Sequence, residues 1–144
     1  MDDVQAIRAL IAHQFSSLSW TPNKPANWDG FVADFLPNAP LYSAARPVKP
    51  QTLEQFVTRM KRLSETELPS LEERVLGVEI SVFGNIAVAV VGCLMEENEQ
   101  SESQTVEMLL LVKDHSEWRI SAQAWEKVTD SNPMPAHLAL QISR

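Results

Sequence analysis

The feature that most constrains this chain is a change of hydrophobic period close to Leu71. Before it, apolar residues recur one helical turn apart; after it, as far as Trp125, they recur at every second residue. Side chains a turn apart share one helix face, whereas neighbouring side chains of a strand point to opposite faces, so one element cannot serve both periods. The chain reads as helices first and antiparallel strands second: an α+β fold with the helices gathered on one face of a curved sheet. Its 144 residues leave room for one domain, taken as 1–144 with a Pro-containing tail over 128–144. That is enough chain to bury a core without a metal or a disulfide.

Val4, Ile7, Ile11, Phe15 and Leu18 form the first helical stripe, with Asp2 and Asp3 where the helix dipole favours acids; Trp20-Thr21-Pro22 ends it. Trp28, Phe31, Val32, Phe35 and Leu36 predict a second helix, capped by Asn27 and stopped at Pro37. Leu41-Tyr42-Ser43 reads as an edge strand and Arg46 to Pro50 as a loop. Thr52 and Gln55 form a capping-box pattern ahead of a third helix whose stripe is Leu53, Phe56, Val57, Met60 and Leu63. In the sheet region, Leu76, Val78, Ile80 and Val82 alternate with Val75, Gly77, Glu79 and Ser81, and Phe83-Gly84-Asn85 signals a tight turn. Ile86 to Glu97 and Thr105 to Lys113 are apolar on both faces, with a polar hairpin loop, Asn98 to Ser103, between them. In the last strand Trp118, Ile120, Ala122 and Ala124 alternate with Arg119, Ser121, Gln123 and Trp125, and the tail ends in a short apolar segment, Leu138 to Ile142.

Charge and motifs remove several functions. A formal net charge of −7 disfavours nucleic acid and anionic membrane surfaces as partners. His13, His115 and His137 are scattered over a helix face, a turn and the tail, and no HExxH or Cys–His spacing occurs, so no metal is expected. No Gly-rich phosphate loop occurs, so no nucleotide cofactor is expected, and none of any other kind. The one cysteine, Cys93, lies in an apolar run and reads as a small hydrophobe. The acidic start lacks a secretory signal and the longest apolar run, Ile86 to Met95, is about half a bilayer span, which gives a cytoplasmic expectation.

Among the carboxylates, Asp29 complements a helix dipole, and Asp34 sits beside a buried stripe where solvation is the ordinary outcome. Glu107 interrupts an apolar strand and Glu126 follows Trp125; either, if buried, would be an acid of raised pKa suited to proton transfer beside a carbonyl. The plainer reading of Glu107, preferred here, is a charge on the outer face of the sheet paired with Lys113 or Arg119. Tyr42 is the only tyrosine, and reads either as a donor to a ligand oxygen or as an aromatic capping the core with its hydroxyl in water.

Three motifs carry a resemblance to a known superfamily. Trp28 to Ala39 looks like a helix-two signature leading into F-x-P-x-A; Phe83-Gly84-Asn85-Ile86-Ala87 looks like a turn and strand start; Trp118-Arg119-Ile120-Ser121 with Asn132-Pro133-Met134-Pro135-Ala136 is similar to a last strand and N-P-I-P tail. In this order they resemble uncharacterised bacterial members of the NTF2-like (nuclear transport factor 2, SnoaL-like) superfamily, an α+β cone of three helices on a strongly bent sheet. The resemblance implies a pocket between helices and sheet, lined by Trp28, Tyr42, Phe56, Met60 and Met108, and a small apolar or amphipathic organic ligand. It also admits an isomerase, dehydratase or cyclase using Tyr42 with Asp34, Glu107 or Glu126, and a non-catalytic association module with a filled pocket. Where many relatives carry a histidine after W-x-I this chain has Ala122 and Ala124, and Asn38 stands where an acid often follows the helix-two proline, so no familiar acid–base set is present. Helices cover one face of such a sheet, so the apolar outer face predicts a homodimer.

Overall fold

The computed structural model describes residues 2–139. Its elements are α1 (Asp3–Ser17), α2 (Trp28–Ala33), β1 (Leu41–Ser43), β2 (Pro50–Gln51), α3 (Leu53–Glu65), β3 (Leu71–Phe83), β4 (Ile86–Glu97), β5 (Ser101–Asp114), β6 (Glu117–Lys127) and α4 (Ala136–Ala139). The strands form one sheet in the order β2-β1-β6-β5-β4-β3, antiparallel except where β1 runs parallel to β6. This is the expected α+β architecture, with the period change falling at the start of β3.

Local chemistry explains the helix ends. Asp2 Oδ1 accepts from the Gln5 amide at 2.8 Å while Gln5 Oε1 accepts from the Asp2 amide at 3.2 Å. Thr52 and Gln55 close the same reciprocal box on α3, both bonds at 3.0 Å. α2 stops at Ala33, short of the expected Leu36, because the following residues join the sheet. The Ile120 amide donates to the Asp34 carbonyl and the Leu36 amide to the Ile120 carbonyl, both at 2.8 Å, and Phe35 bridges Ile120 in parallel. The β4–β5 loop is also shorter than its polar sequence suggests. Asn98 and Glu99 take positive φ, and Ser101 and Glu102 already pair with Glu97 and Glu96. Ladder hydrogen bonds need no apolar side chains, so the strands run on through polar residues.

Two irregularities set the faces of the sheet. Between Val75 and Gly77 the register with β4 slips by one residue, leaving Leu76 extra on β3. Between Leu110 and Leu111 the partner on β6 jumps from Ala122 to Ile120, leaving Ser121 extra. Each bulge bends its strand and reverses which alternate side chains look inward. Glu73 and Val75 therefore share the inner face with Val78, Ile80 and Val82, and Gln123 and Trp125 share it with Trp118 and Ile120.

The core lies between that inner face and α1, α2 and α3. Ile7, Ile11 and Phe15 of α1 and Phe31 and Phe56 pack over Ala89, Val91, Leu109 and Leu111 of the sheet. On the outer face Ile86, Val88, Met108 and Leu110 remain exposed. α4 packs against β3 and β4 with Leu138 fully buried. Gly92 makes room for this segment: a Cβ there would lie 2.9 Å from Met134 Sδ and 3.3 Å from Leu138 Cβ. The expected apolar tail beyond Ala139 lies outside the described residues. Among the described residues no helix is long and apolar enough to cross a membrane.

Candidate functional site

A cavity of about 240 Å³ opens between the helices and the inner face of the sheet. Its apolar walls come from Phe15 and Leu18 of α1, Phe56, Met60 and Leu63 of α3, and Trp125 of β6. Phe56 is the hub of these walls. It stacks on Phe31 with ring centres 5.6 Å apart, meets the edge of Trp125 at 5.8 Å, and carries the Arg59 guanidinium 5.8 Å above its ring.

The remaining wall is polar and deeply buried. Glu107 of β5 is 7% exposed, Gln123 of β6 is 4% and Gln14 of α1 is 3%. Glu107 Oε1 accepts from Gln123 Nε2 at 2.6 Å, and Gln123 Oε1 accepts in turn from Gln14 Nε2 at 2.6 Å. Thr105 Oγ1 donates to Glu107 Oε2 at 3.4 Å, and Cys93 Sγ donates to Glu73 Oε2 at 3.6 Å. The polarity of this chain starts at Glu107. A carboxylate can only accept, so Gln123 presents its amide nitrogen to it and its oxygen to Gln14, and Gln14 must spend its own nitrogen there. Gln14 Oε1 is left buried with no partner.

Glu73, Cys93 and Glu107 each bring a ligand-type atom to within 4.8 Å of the others. Burial pushes the Glu107 carboxyl up to about 7, against the opposing pull of its bonds from Gln123 and Thr105. Burial raises Glu73 well above the usual carboxylate range, the negative charge of Glu107 raises it further, and the Cys93 bond only partly opposes this. Glu73 keeps some accessible surface, as a cavity-lining residue does, while protein atoms surround its carboxyl. Both carboxyl groups are thus harder to ionise than an ordinary carboxylate, and the charge of Glu107 works against that of Glu73. Burial, reinforced by both carboxylates, pushes the Cys93 thiol up as well, which makes it a poor nucleophile. A metal ion would need all three groups deprotonated, and the same burial works against that.

The residues expected at a pocket separate here. Phe56 and Met60 line the cavity. Trp28 packs on Trp20 with ring centres 5.5 Å apart, and neither it nor the half-buried Tyr42 is among the lining residues. Met108 faces the other way and is 59% exposed on the outer face. Glu107 corrects the opposite assignment. It pairs in register with the buried Val91 and looks inward, not outward toward Lys113 or Arg119. Lys113 instead bonds Asp3 at 2.9 Å, and Arg119 pairs with Glu117. Asp34 lies away from the cavity and meets His13 Nδ1 at 2.7 Å, so that histidine has a partner despite its exposed face. Burial raises the Asp34 carboxyl, with His13 opposing the shift. Glu126 is exposed.

Sequence reasoning missed Glu73, Gln14 and Gln123. Gln14 carried a readable signal: it occupies the apolar stripe of α1, between Ile7, Ile11 and Leu18. Glu73 and Gln123 carried none, because each lies beyond a bulge that inverts the alternation.

No protein-family model matches the sequence, and no curated protein matches it. Solved structures do. An NTF2-like protein of unknown function from Pseudomonas putida superposes with a TM-score of 0.69 at 9% identity, over 94% of this chain and 96% of that one. A candidate dehydratase of the NTF2-like family from Streptomyces avermitilis gives 0.71 at 9% identity, over 88% and 96%. A candidate ketosteroid isomerase from Parabacteroides distasonis gives 0.61 at 17% identity, over 87% and 87%. The chain has the NTF2-like fold.

The buried acids predict how stability depends on pH. A carboxyl whose folded-state pKa is raised contributes its full stability below the ordinary carboxylate range and loses it as pH rises through the folded value, here about 7 for Glu107. Asp34 acts in the same direction, and Asp3, whose carboxyl is lowered by Lys113 and Trp118, acts only below its ordinary range. Chemical denaturation should find the protein about 1–3 kcal/mol less stable near pH 8 than near pH 5. Glu73, raised by the same burial, acts in the same direction, so Glu107→Gln should reduce that slope and leave the part that Glu73 carries.

Proposed function

We propose that this protein binds a small, mainly apolar organic molecule with one polar end in the cavity between α3 and the sheet. The observation that carries the reading is the composition of that cavity: aromatic and aliphatic walls around a single buried polar patch, Glu73, Glu107 and Gln123. Binding sites for small molecules have this make-up, with apolar area supplying affinity and a few polar groups fixing orientation. A volume of about 240 Å³ exceeds the roughly 150 Å³ of an apolar cavity that accepts benzene, so one ring with a short substituent fits. Met60→Trp tests the reading. It should fill the cavity and abolish stabilisation by a library of small hydrophobic compounds, with the melting temperature nearly unchanged. A loss of stability by about 1–3 kcal/mol, with no compound stabilising the parent, would replace the pocket by a solid core and favour the association module.

The two acids favour a second reading, proton transfer on the bound molecule. Glu107 as the carboxylate would take a proton from carbon beside a carbonyl, and Glu73 would give its proton to the carbonyl oxygen, yielding the enol; the reverse transfers restore the ketone. Two solved structures of this fold are named as a candidate dehydratase and a candidate ketosteroid isomerase. Cyclohexanone incubated with the protein in heavy water should then take up deuterium at its α-carbon, with the rate falling by about a hundredfold or more in Glu107→Gln.

The outer face supports a homodimer. Ile86, Val88, Met108 and Leu110 are exposed side by side, Val88 directly opposite Leu110 across the β4–β5 ladder. A second copy presents the same apolar surface and covers it through a two-fold axis. Light scattering should give twice the chain mass at micromolar concentration, and Leu110→Lys should return the monomer.

A further inference from the structure

We infer that the polar end of the cavity receives a hydrogen-bond donor carrying positive charge: the ammonium group of a small apolar amine, seated among Glu73, Glu107 and Gln14. This rests on the pocket reading above and deepens it by naming the ligand's polar group.

The argument is a count of donors and acceptors. Apart from the proton a carboxyl itself carries, the amide, hydroxyl and thiol donors at this end of the cavity are already engaged within the protein. Gln14 Nε2 goes to Gln123, Gln123 Nε2 and the Thr105 hydroxyl go to Glu107, and the Cys93 thiol goes to Glu73. What remains unspent is acceptor capacity: Gln14 Oε1 has no partner at all, and two carboxyl groups hold only these bonds. A buried acceptor without a donor is costly, so a ligand that fits here donates. A ketone, ether or carboxylate brings acceptors only and leaves Gln14 Oε1 as it is.

Charge points the same way. The groups that face the acid pair are Cys93 on β4 and the neutral Gln14, Thr105 and Gln123 on α1, β5 and β6. Farther along the cavity wall lie Arg59 of α3, held over Phe56, and Glu97 of β4. Among the described residues no lysine, arginine or histidine forms an ion pair with Glu73 or Glu107. Two buried carboxyl groups without a cation are stable only while a proton neutralises part of their charge. An ammonium brings up to three donors and the missing charge together, replacing that proton. Its binding therefore expels a proton, and its affinity rises with pH until the amine itself loses its charge, at about pH 10. A ketone can accept only from a protonated carboxyl, so its affinity falls as that proton is lost.

The test compares 2-phenylethylamine, 2-phenylethanol, acetophenone and ethylbenzene by calorimetry on the full chain. The amine should bind about tenfold or more tighter than the alcohol near pH 8, and its affinity should grow by about tenfold between roughly pH 6 and pH 8. Glu107→Gln and Glu73→Gln, two separate changes in case one alone impairs folding, should each weaken the amine and leave ethylbenzene unaffected. Gln14→Met should weaken the amine while keeping the volume of the wall. An amine bound no better than the alcohol, or a ketone bound more tightly and losing affinity as pH rises, would overturn the amine assignment and leave the pocket standing. Failure of all four probes, ethylbenzene included, would overturn the pocket reading along with it.

Discussion

Two single-residue slips of the β ladder decide what this protein can do. Leu76 on β3 and Ser121 on β6 are each one residue too many for the strand alongside, and a strand has a strict period of two. One extra residue therefore exchanges the faces of everything on one side of it. Without the first, Glu73 would point to the outer face; without the second, Gln123 and Trp125 would. The polar end of the cavity and part of its aromatic wall thus depend on irregularities of backbone pairing. The first slip bends the strand that packs against α1, and the second bends β6 beside the segment that follows α2.

A cavity with two acids in it works against stability. Burying Glu73 and Glu107 within reach of each other, beside a thiol, raises the proton affinity of all three groups. A core of the same shape lined by leucine would hold more tightly. Neighbouring layers compensate with dense apolar packing: Ile7, Ile11, Phe31, Val91, Leu109, Leu111 and Ile120 are each almost completely removed from water. The bonds from Gln123 and Thr105 hold the Glu107 carboxyl in one orientation within that frame. Side chains that carry a stability cost, are fully oriented, and line a space large enough for a guest are what a binding site requires.

The two sides of the sheet divide the work. The inner face carries the site and the core. The outer face is apolar where β4 and β5 cross its middle and closed toward β3 by α4, which sits where Gly92 leaves room for Met134 and Leu138. Strands that are apolar on both faces are consistent with a layer covered on both sides. Helices and a terminal segment supply that cover in part, and the exposed row from Ile86 to Leu110 marks what they leave open.

Much of the fold was legible in the residues alone. The switch of period at Leu71, the capping box at Thr52, the turn at Gly84 and the double-sided strands are local signals, and local chemistry makes those elements. Phe56 and Met60 were legible as lining residues because a helix with a clear stripe has only one face to offer. The rest was decided by tertiary structure. The C-terminal end of α2 was moved by hydrogen bonds with Ile120, a residue far along the chain. Met108 and Glu107 could not be assigned to a face from a strand that is apolar on both, and the habit of placing charge outside gave each the wrong side. Glu73 and Gln123 turned inward at bulges that exist only because neighbouring strands must stay in register. Alternation is a property of one strand and can be read from its residues; register is a relation between two strands, and only their pairing fixes it.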